Sequence, residues 1–135
     1  MTLESLADFL DSAFPVEARA TLGQLVSIGD GHAHMRLDPL PSMIRPGGII
    51  SGPTQMGFID VAAYAVVLAH IGPVGMAVTN SLSVSFLRPC RQEPLFADAR
   101  LLKLGRKLAS VDVRLWQSDE SRLIAQSTVG YALPA

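Results

Sequence analysis

At 135 residues the chain has room for one domain with a sizeable core and not for two. It is apolar for a soluble protein, 49% hydrophobic and 17% charged with mean hydropathy +0.33, so some apolar surface is expected to be buried against a second copy. A net charge of −1, from 11 basic and 12 acidic residues, excludes a nucleic-acid binder held by a broad basic field, and the single cysteine excludes an intramolecular disulfide or a cysteine-built zinc site.

The chain opens with acidic residues and lacks the basic start of a signal peptide, so the cytoplasm is the expected location. Over residues 3–13, Leu3, Leu6, Phe9, Leu10 and Ala13 share one helical face, with Thr2 as N-cap and Pro15 beyond the end. This predicts a short amphipathic helix (residues 1–15) packed on the rest of a single domain spanning 1–135. Strand-like runs at 21–28 and 32–38 flank Gly29-Asp30-Gly31, which is hairpin chemistry. Residues 39–53 read as a loop with four prolines and a Gly-rich stretch. Residues 54–71 form a helix closed by Gly72-Pro73. The period then changes to two, with Val78, Asn80, Leu82, Val84 and Phe86 alternating with Thr79, Ser81, Ser83 and Ser85. Further strands fall near 94–104, 107–117 and 122–133. The expected class is α+β: short helix, hairpin, apolar helix, four-strand meander.

The long helix is apolar almost all round from Met56 to Ala69, with Asp60 its only charge. A helix without a polar face is buried or crosses a membrane; an internal Asp and surrounding antiparallel strands favour burial inside a curved sheet, with no membrane involved. A carboxylate in that setting is costly unless it is paired, so Asp60 is either a structural pin or a working group. Ser51-Gly52-Pro53-Thr54 at the helix entry supplies caps, and its free N–H groups suit an oxyanion. Gly52 and Asp60 lie eight positions apart, about 12 Å along a helix. One ester or thioester carbonyl cannot touch both in one chain. If both act on it, they come from two subunits of an obligate homodimer.

Gly48-Ile49-Ile50-Ser51-Gly52, then Asp60 in an apolar helix, resembles the hotdog-fold thioesterases, nearest the phenylacetate-pathway and 4-hydroxybenzoyl-CoA branch. The stretch from Ala77 to Pro89, the turn Gly105-Arg106-Lys107 and the final alternating strand also fit, and the resemblance covers roughly residues 20–133. It implies a hotdog fold, an antiparallel sheet wrapped around one long helix, in dimers or dimers of dimers. It also implies hydrolysis of acyl-CoA thioesters without a further cofactor, CoA being part of the substrate. By position, the Gly52 amide would polarise the carbonyl, and Asp60 of the other subunit would serve as general base or nucleophile. Three positions depart from the branch. Ser51 stands where His is usual, Arg45 where Asn or Gln is common, and Pro53 where a second Gly is frequent. Ser51 can still bond the thioester or cap the helix, and Arg45 can orient water as a donor or pair with Asp60.

Tyr64, one turn after Asp60, is expected to face the acyl group, bond Asp60 or fill the core. Asn80 interrupts an apolar strand face and needs a buried partner, which makes it a candidate for lining the site. Arg88, Arg91, Arg106 and Lys107 sit at strand ends, where they can meet CoA phosphates or simply face solvent. Cys90 has no His near it in sequence and is not read as a nucleophile. His32 and His34 point the same way on a strand, but without an evident third ligand they read as a partly exposed pair. A hotdog dehydratase would show His five residues after the Asp, where this chain has Ala65. The remaining alternative is a non-catalytic acyl-CoA-binding or regulatory hotdog protein.

Overall fold

The structure is a computed structural model, described here over residues 1–134. Helix α1 (Leu3–Ala13) is capped by Thr2 in a reciprocal box with Ser5, and a short helix α2 (Val16–Arg19) follows. Strands β1 (Gln24–Gly29) and β2 (His32–Leu37) form the expected hairpin. A 3-10 turn (Pro41–Met43) leads into a two-stranded ribbon, β3 (Ile44–Arg45) and β4 (Ile49–Ile50). The loop predicted there is thus partly ordered by backbone pairing. Gly47 and Gly48 make its turn, at φ 103° and 76°, in the left-handed region other residues avoid. Helix α3 (Gly52–Ile71) is followed by β5 (Val78–Phe86), β6 (Leu95–Leu104), β7 (Leu108–Trp116) and β8 (Ala125–Ala132).

The six long strands form one antiparallel sheet in the order β1-β2-β6-β7-β8-β5. β6, β7 and β8 are a meander, but β5 is not its first member: it pairs with β8 at the far edge, while β6 pairs with β2. The reason lies in the eight residues between β5 and β6, which include Pro89 and Pro94 and are too long and irregular for a hairpin turn. They carry the chain across the end of the sheet instead. Buried Gln117 staples this segment, accepting from Arg91 N–H and donating to the carbonyls of Arg91 and Glu93.

The concave face of the sheet encloses α3. Phe58, Ile59, Ala62, Ala63, Val66, Val67 and Leu68 are fully buried against Ala33, Met35, Leu37, Leu95, Ala97, Val111, Val113, Leu115 and Val129. Each large side chain buried this way contributes roughly 1.5–3 kcal/mol, which is why the helix needs no amphipathic pattern. By length and composition α3 could cross a membrane, but here it is the core helix of a sheet-wrapped domain. Gly23 (φ 81°) lets the chain pass close above that core. A Cβ there would lie 2.6 Å from the Phe58 ring and 2.8 Å from the Arg36 carbonyl oxygen. The hotdog architecture implied by the resemblance is present.

Candidate active site

The sheet leaves one strip of α3 open. Pro53, Met56 and Gly57 are exposed, and Asp60 and Tyr64 are half-buried, following each other at the three- and four-residue spacing of a single helical face. The all-round burial expected from the apolar composition is therefore incomplete. The uncovered strip is the one that carries Asp60.

Asp60 is held by two neutral hydroxyls. Thr79 Oγ1 donates to Asp60 Oδ1 at 2.6 Å, and Tyr131 Oη donates to the same oxygen at 2.7 Å while lying 2.9 Å from the Asp60 carbonyl. These are short, charge-assisted distances that offset the cost of a carboxylate among apolar groups. Among the described residues no donor reaches Oδ2, so that oxygen remains available. Tyr131 is itself almost fully buried, which pushes its phenol far above the ordinary range; the Thr79 hydroxyl opposes the shift and the Asp60 charge adds to it. The phenol thus stays protonated and remains a donor. Thr79 and Tyr131 face each other across β5 and β8 in register.

Neither of these partners stood out in the sequence. Thr79 appeared on the strand face opposite Asn80, Leu82 and Val84, but β5 has a bulge between Thr79 and Ser81. One extra residue switches the face of everything before it, so Thr79 points to the helix with Leu82 and Val84. Asn80 is the bulged residue and is exposed. Among the described residues its side chain has no buried partner, and it lines neither the Asp60 nor the Gly52 cleft. Gly130 makes room for the bulge, since a Cβ there would meet Asn80 Oδ1 at 2.5 Å and Ser81 Oγ at 2.8 Å.

Asp60 opens onto a cleft of about 840 Å³, largely apolar, whose walls include Phe9 and Phe14 of the N-terminal region, Tyr64, Met76 and Val78. Tyr64 lines this cleft and does not bond Asp60. Its hydroxyl donates to the Gly75 carbonyl at 3.3 Å, and its ring stacks on Tyr131 at 6.2 Å and meets Phe14 edge-on at 6.3 Å.

Gly52 is the first residue of α3 and belongs to a different cleft, of about 550 Å³, with Arg45, Gln55, Phe86 and Arg88 among its walls. Ser51 is the N-cap: its hydroxyl accepts from Thr54 N–H at 3.2 Å and donates to Thr54 Oγ1 at 2.8 Å. Pro53 has no N–H and Thr54 is capped, so among the described residues the Gly52 N–H is the first-turn donor without an acceptor. The ribbon fixes this end of the helix, Ser51 N–H donating to Met43 and Ile50 N–H to the Cys90 carbonyl. Arg45, exposed on β3, forms no ion pair with Asp60.

The predicted cations do not assemble into one cluster within the protomer. Arg88, whose guanidinium donates to the Leu123 carbonyl at 2.7 Å, shares a second cleft with Arg91 and with Arg122, a residue the sequence did not single out. Arg106 and Lys107 are exposed on the β6–β7 turn, at the other end of the sheet, beside the Val78–Ala132 pair. Cys90 is fully buried and its thiol is pushed up to about 12 by burial, with the Glu93 charge adding, which fits no nucleophilic role.

Residues 47–124, more than half of the chain, match the model of the thioesterase superfamily. A crystal structure of a "putative thioesterase" from Silicibacter sp. TM1040 is similar with a TM-score of 0.90 and 35% identity, covering 100% of this chain and 93% of that one. A phenylacetic acid degradation-related protein from Ralstonia eutropha JMP134 shares the fold with a TM-score of 0.81 and 23% identity, covering 93% and 98%. A Saccharolobus solfataricus protein named "Putative esterase" is 26% identical over 92 residues; the match takes in 67% of this chain and 60% of that relative's length. The family match and the 35% identical structure support thioesterase-type hydrolysis, and with its family model and its sheet-wrapped helix in agreement the chain belongs to the thioesterase superfamily.

Proposed function

We propose that the protein hydrolyses acyl-CoA thioesters at a site shared by two protomers, in which Gly52 N–H polarises the thioester carbonyl and the partner's Asp60 acts on its carbon. This reading is supported by two incomplete half-sites that lie apart in one chain. A carboxylate fixed through Oδ1 with Oδ2 free lies in one cleft, and an unpaired helix-terminal N–H lies in another. Two turns of helix, about 12 Å, separate them in one chain. A homodimer that sets two α3 helices antiparallel brings each half-site to the other's complement.

The surface supports such a pairing. Met56 on the open strip, Val78 and Phe86 at the ends of β5, and Met76 and Leu87 just beyond them are between 41% and 74% exposed. β5 is a sheet edge whose outer backbone groups are unpaired among the described residues. Apolar side chains beside an unpaired edge are what a two-fold partner covers. The same operator sets Arg88 near the partner's Arg106 and the partner's Lys107, giving the CoA phosphates one basic rim. Two such dimers pairing into a tetramer is the higher assembly that the resemblance implies.

In the reaction the carbonyl oxygen takes its negative charge toward Gly52 N–H and the positive end of α3. The partner's Asp60 either accepts a proton from the attacking water, the carbon–sulfur bond then breaking to release CoA as thiolate, or attacks the carbonyl itself. In the second case CoA leaves as thiolate and water then hydrolyses the acyl–Asp60 anhydride to free acid and carboxylate. The Ser51 hydroxyl is engaged in capping Thr54 rather than directed at the thioester. The apolar wall of the Asp60 cleft takes the acyl group. Thiol release from a panel of aryl and aliphatic acyl-CoAs tests the proposal. Wild type should turn over at least one, and Asp60→Asn should lose at least about 10²-fold while its dimer persists. Tight acyl-CoA binding by both forms, without turnover by either, would instead identify a binding protein.

A further inference from the structure

On the convex side of the sheet, away from α3, β2 and β6 bring together three metal-ligating side chains. Along β2, Ala33, Met35 and Leu37 are buried toward the helix, so His32 and His34 stand on the opposite face. Ala97 and Ala99 of β6 are buried in the same way, and the antiparallel register sets Asp98 directly across from His34. The third ligand that sequence spacing did not supply comes from a strand distant in the chain.

His32 Nε2 is 2.7 Å from Asp98 Oδ1, and His34 Nε2 is 3.2 Å from the same oxygen. One ligand atom from each residue fits within a mutual separation of 4.8 Å. Ligand atoms around a tetrahedral zinc ion lie roughly 3.3 Å apart, so small side-chain rotations suffice to centre an ion. His32 Nε2 and Asp98 Oδ1 are buried atoms without an aligned hydrogen bond, although they lie close together. Their 2.7 Å approach is a mutual contact that an ion held between the two atoms would replace. Arg100 Nε donates to Asp98 Oδ2 at 3.1 Å, which orients the carboxylate and leaves Oδ1 to the cluster. The other nearby cation, Arg114, is across from Asp98 in register but paired with Asp112 at 3.1 Å. The Arg100 charge weakens attraction for a dication without blocking it.

We propose that His32, His34 and Asp98 bind one divalent first-row transition-metal ion of the zinc type. Two imidazole nitrogens and one carboxylate oxygen would ligate it, with a remaining position open to water. This donor set suits zinc, cobalt, nickel or copper over magnesium or calcium. None of the three residues lines the Gly52 or Asp60 cleft, so the site is independent of the hydrolytic reading and ties β2 to β6.

The test uses the tag-free, chelator-stripped full chain, titrated calorimetrically with zinc alone and by absorbance with cobalt alone. One equivalent per chain should bind, the cobalt form should show visible ligand-field bands, and zinc should raise the melting temperature. His32→Gln, His34→Gln and Asp98→Asn should each weaken binding by at least about 10-fold. His70→Gln should leave it unchanged, since His70 is occupied by Gly31 N–H and the Val66 carbonyl. No binding by folded wild type, or binding that survives all three variants, would overturn the proposal and leave a plain His–Asp contact.

Discussion

Removing the Tyr131 hydroxyl tests how Asp60 is held. In Tyr131→Phe the ring and its packing remain, while Asp60 Oδ1 keeps only the Thr79 donor at 2.6 Å. A hydrogen bond to a charged group is worth about 1.5–3 kcal/mol when one partner is deleted. Part of that value belongs to the Asp60 carbonyl, which lies 2.9 Å from the same hydroxyl. A double-mutant cycle separates the two contributions. Asp60→Asn removes the charge but keeps the carbonyl, so Tyr131→Phe should cost about 1–2 kcal/mol less in the Asp60→Asn background than in wild type. Urea unfolding of the four chains at neutral pH gives the cycle. Turnover of Tyr131→Phe should fall about 10-fold in kcat with little change in KM, because the carboxylate is misdirected and the acyl pocket is intact. Costs equal in both backgrounds within about 0.5 kcal/mol would refute the account, since the hydroxyl would then owe nothing to the carboxylate.

Three further outcomes follow from particular residues. Gly52→Pro removes the N–H at a first-turn position that tolerates proline, and Ser51 already has the extended backbone (φ −66°, ψ 153°) that precedes one. Its turnover should fall about 10²-fold or more, whereas Gly52→Ala, whose Cβ meets the Phe86 ring at an ordinary 3.5 Å, should stay within about 10-fold. Gly23→Ala should lose roughly 2–4 kcal/mol by chemical denaturation, because a positive φ and a 2.8 Å approach to the Arg36 carbonyl act together. Cys90 contributes stability that depends on pH: its thiol rises from 9.0 to about 12 on folding, through burial first and Glu93 second. The folded state therefore holds the proton more tightly, so this contribution is complete below pH 9 and is lost as pH rises toward about 12. Melting temperatures across that window should fall more steeply for wild type than for Cys90→Ala, and thiol reagents should reach Cys90 only on unfolding.

Much of the fold was legible because its determinants are local. Thr2 caps α1, Gly29 to Gly31 turn the first hairpin, and the internal Asp60 and surrounding antiparallel strands favoured burial for the apolar run of α3. The position of β5 was not legible, because alternation along a strand says nothing about its neighbour; the prolines between β5 and β6 were the available hint. The site divides the same way. Asp60 stood out as the only charge in an apolar helix, and Gly52 as a helix entry. Thr79 and Tyr131 were hidden, one by a bulge that inverts the strand's parity and the other as an ordinary aromatic on an alternating strand. Asp98 was hidden from His32 and His34 because strand register, not sequence spacing, brings it to them.

A shared site draws Gly52 from one protomer and Asp60 from its partner. Co-expression of Asp60→Asn and Gly52→Pro chains, purified as mixed dimers, tests it most directly. Each variant alone should be nearly inactive, while the mixed dimers should recover about half of wild-type thiol release, since each carries one intact site of two. Mixed dimers that form but recover no turnover would contradict the shared site.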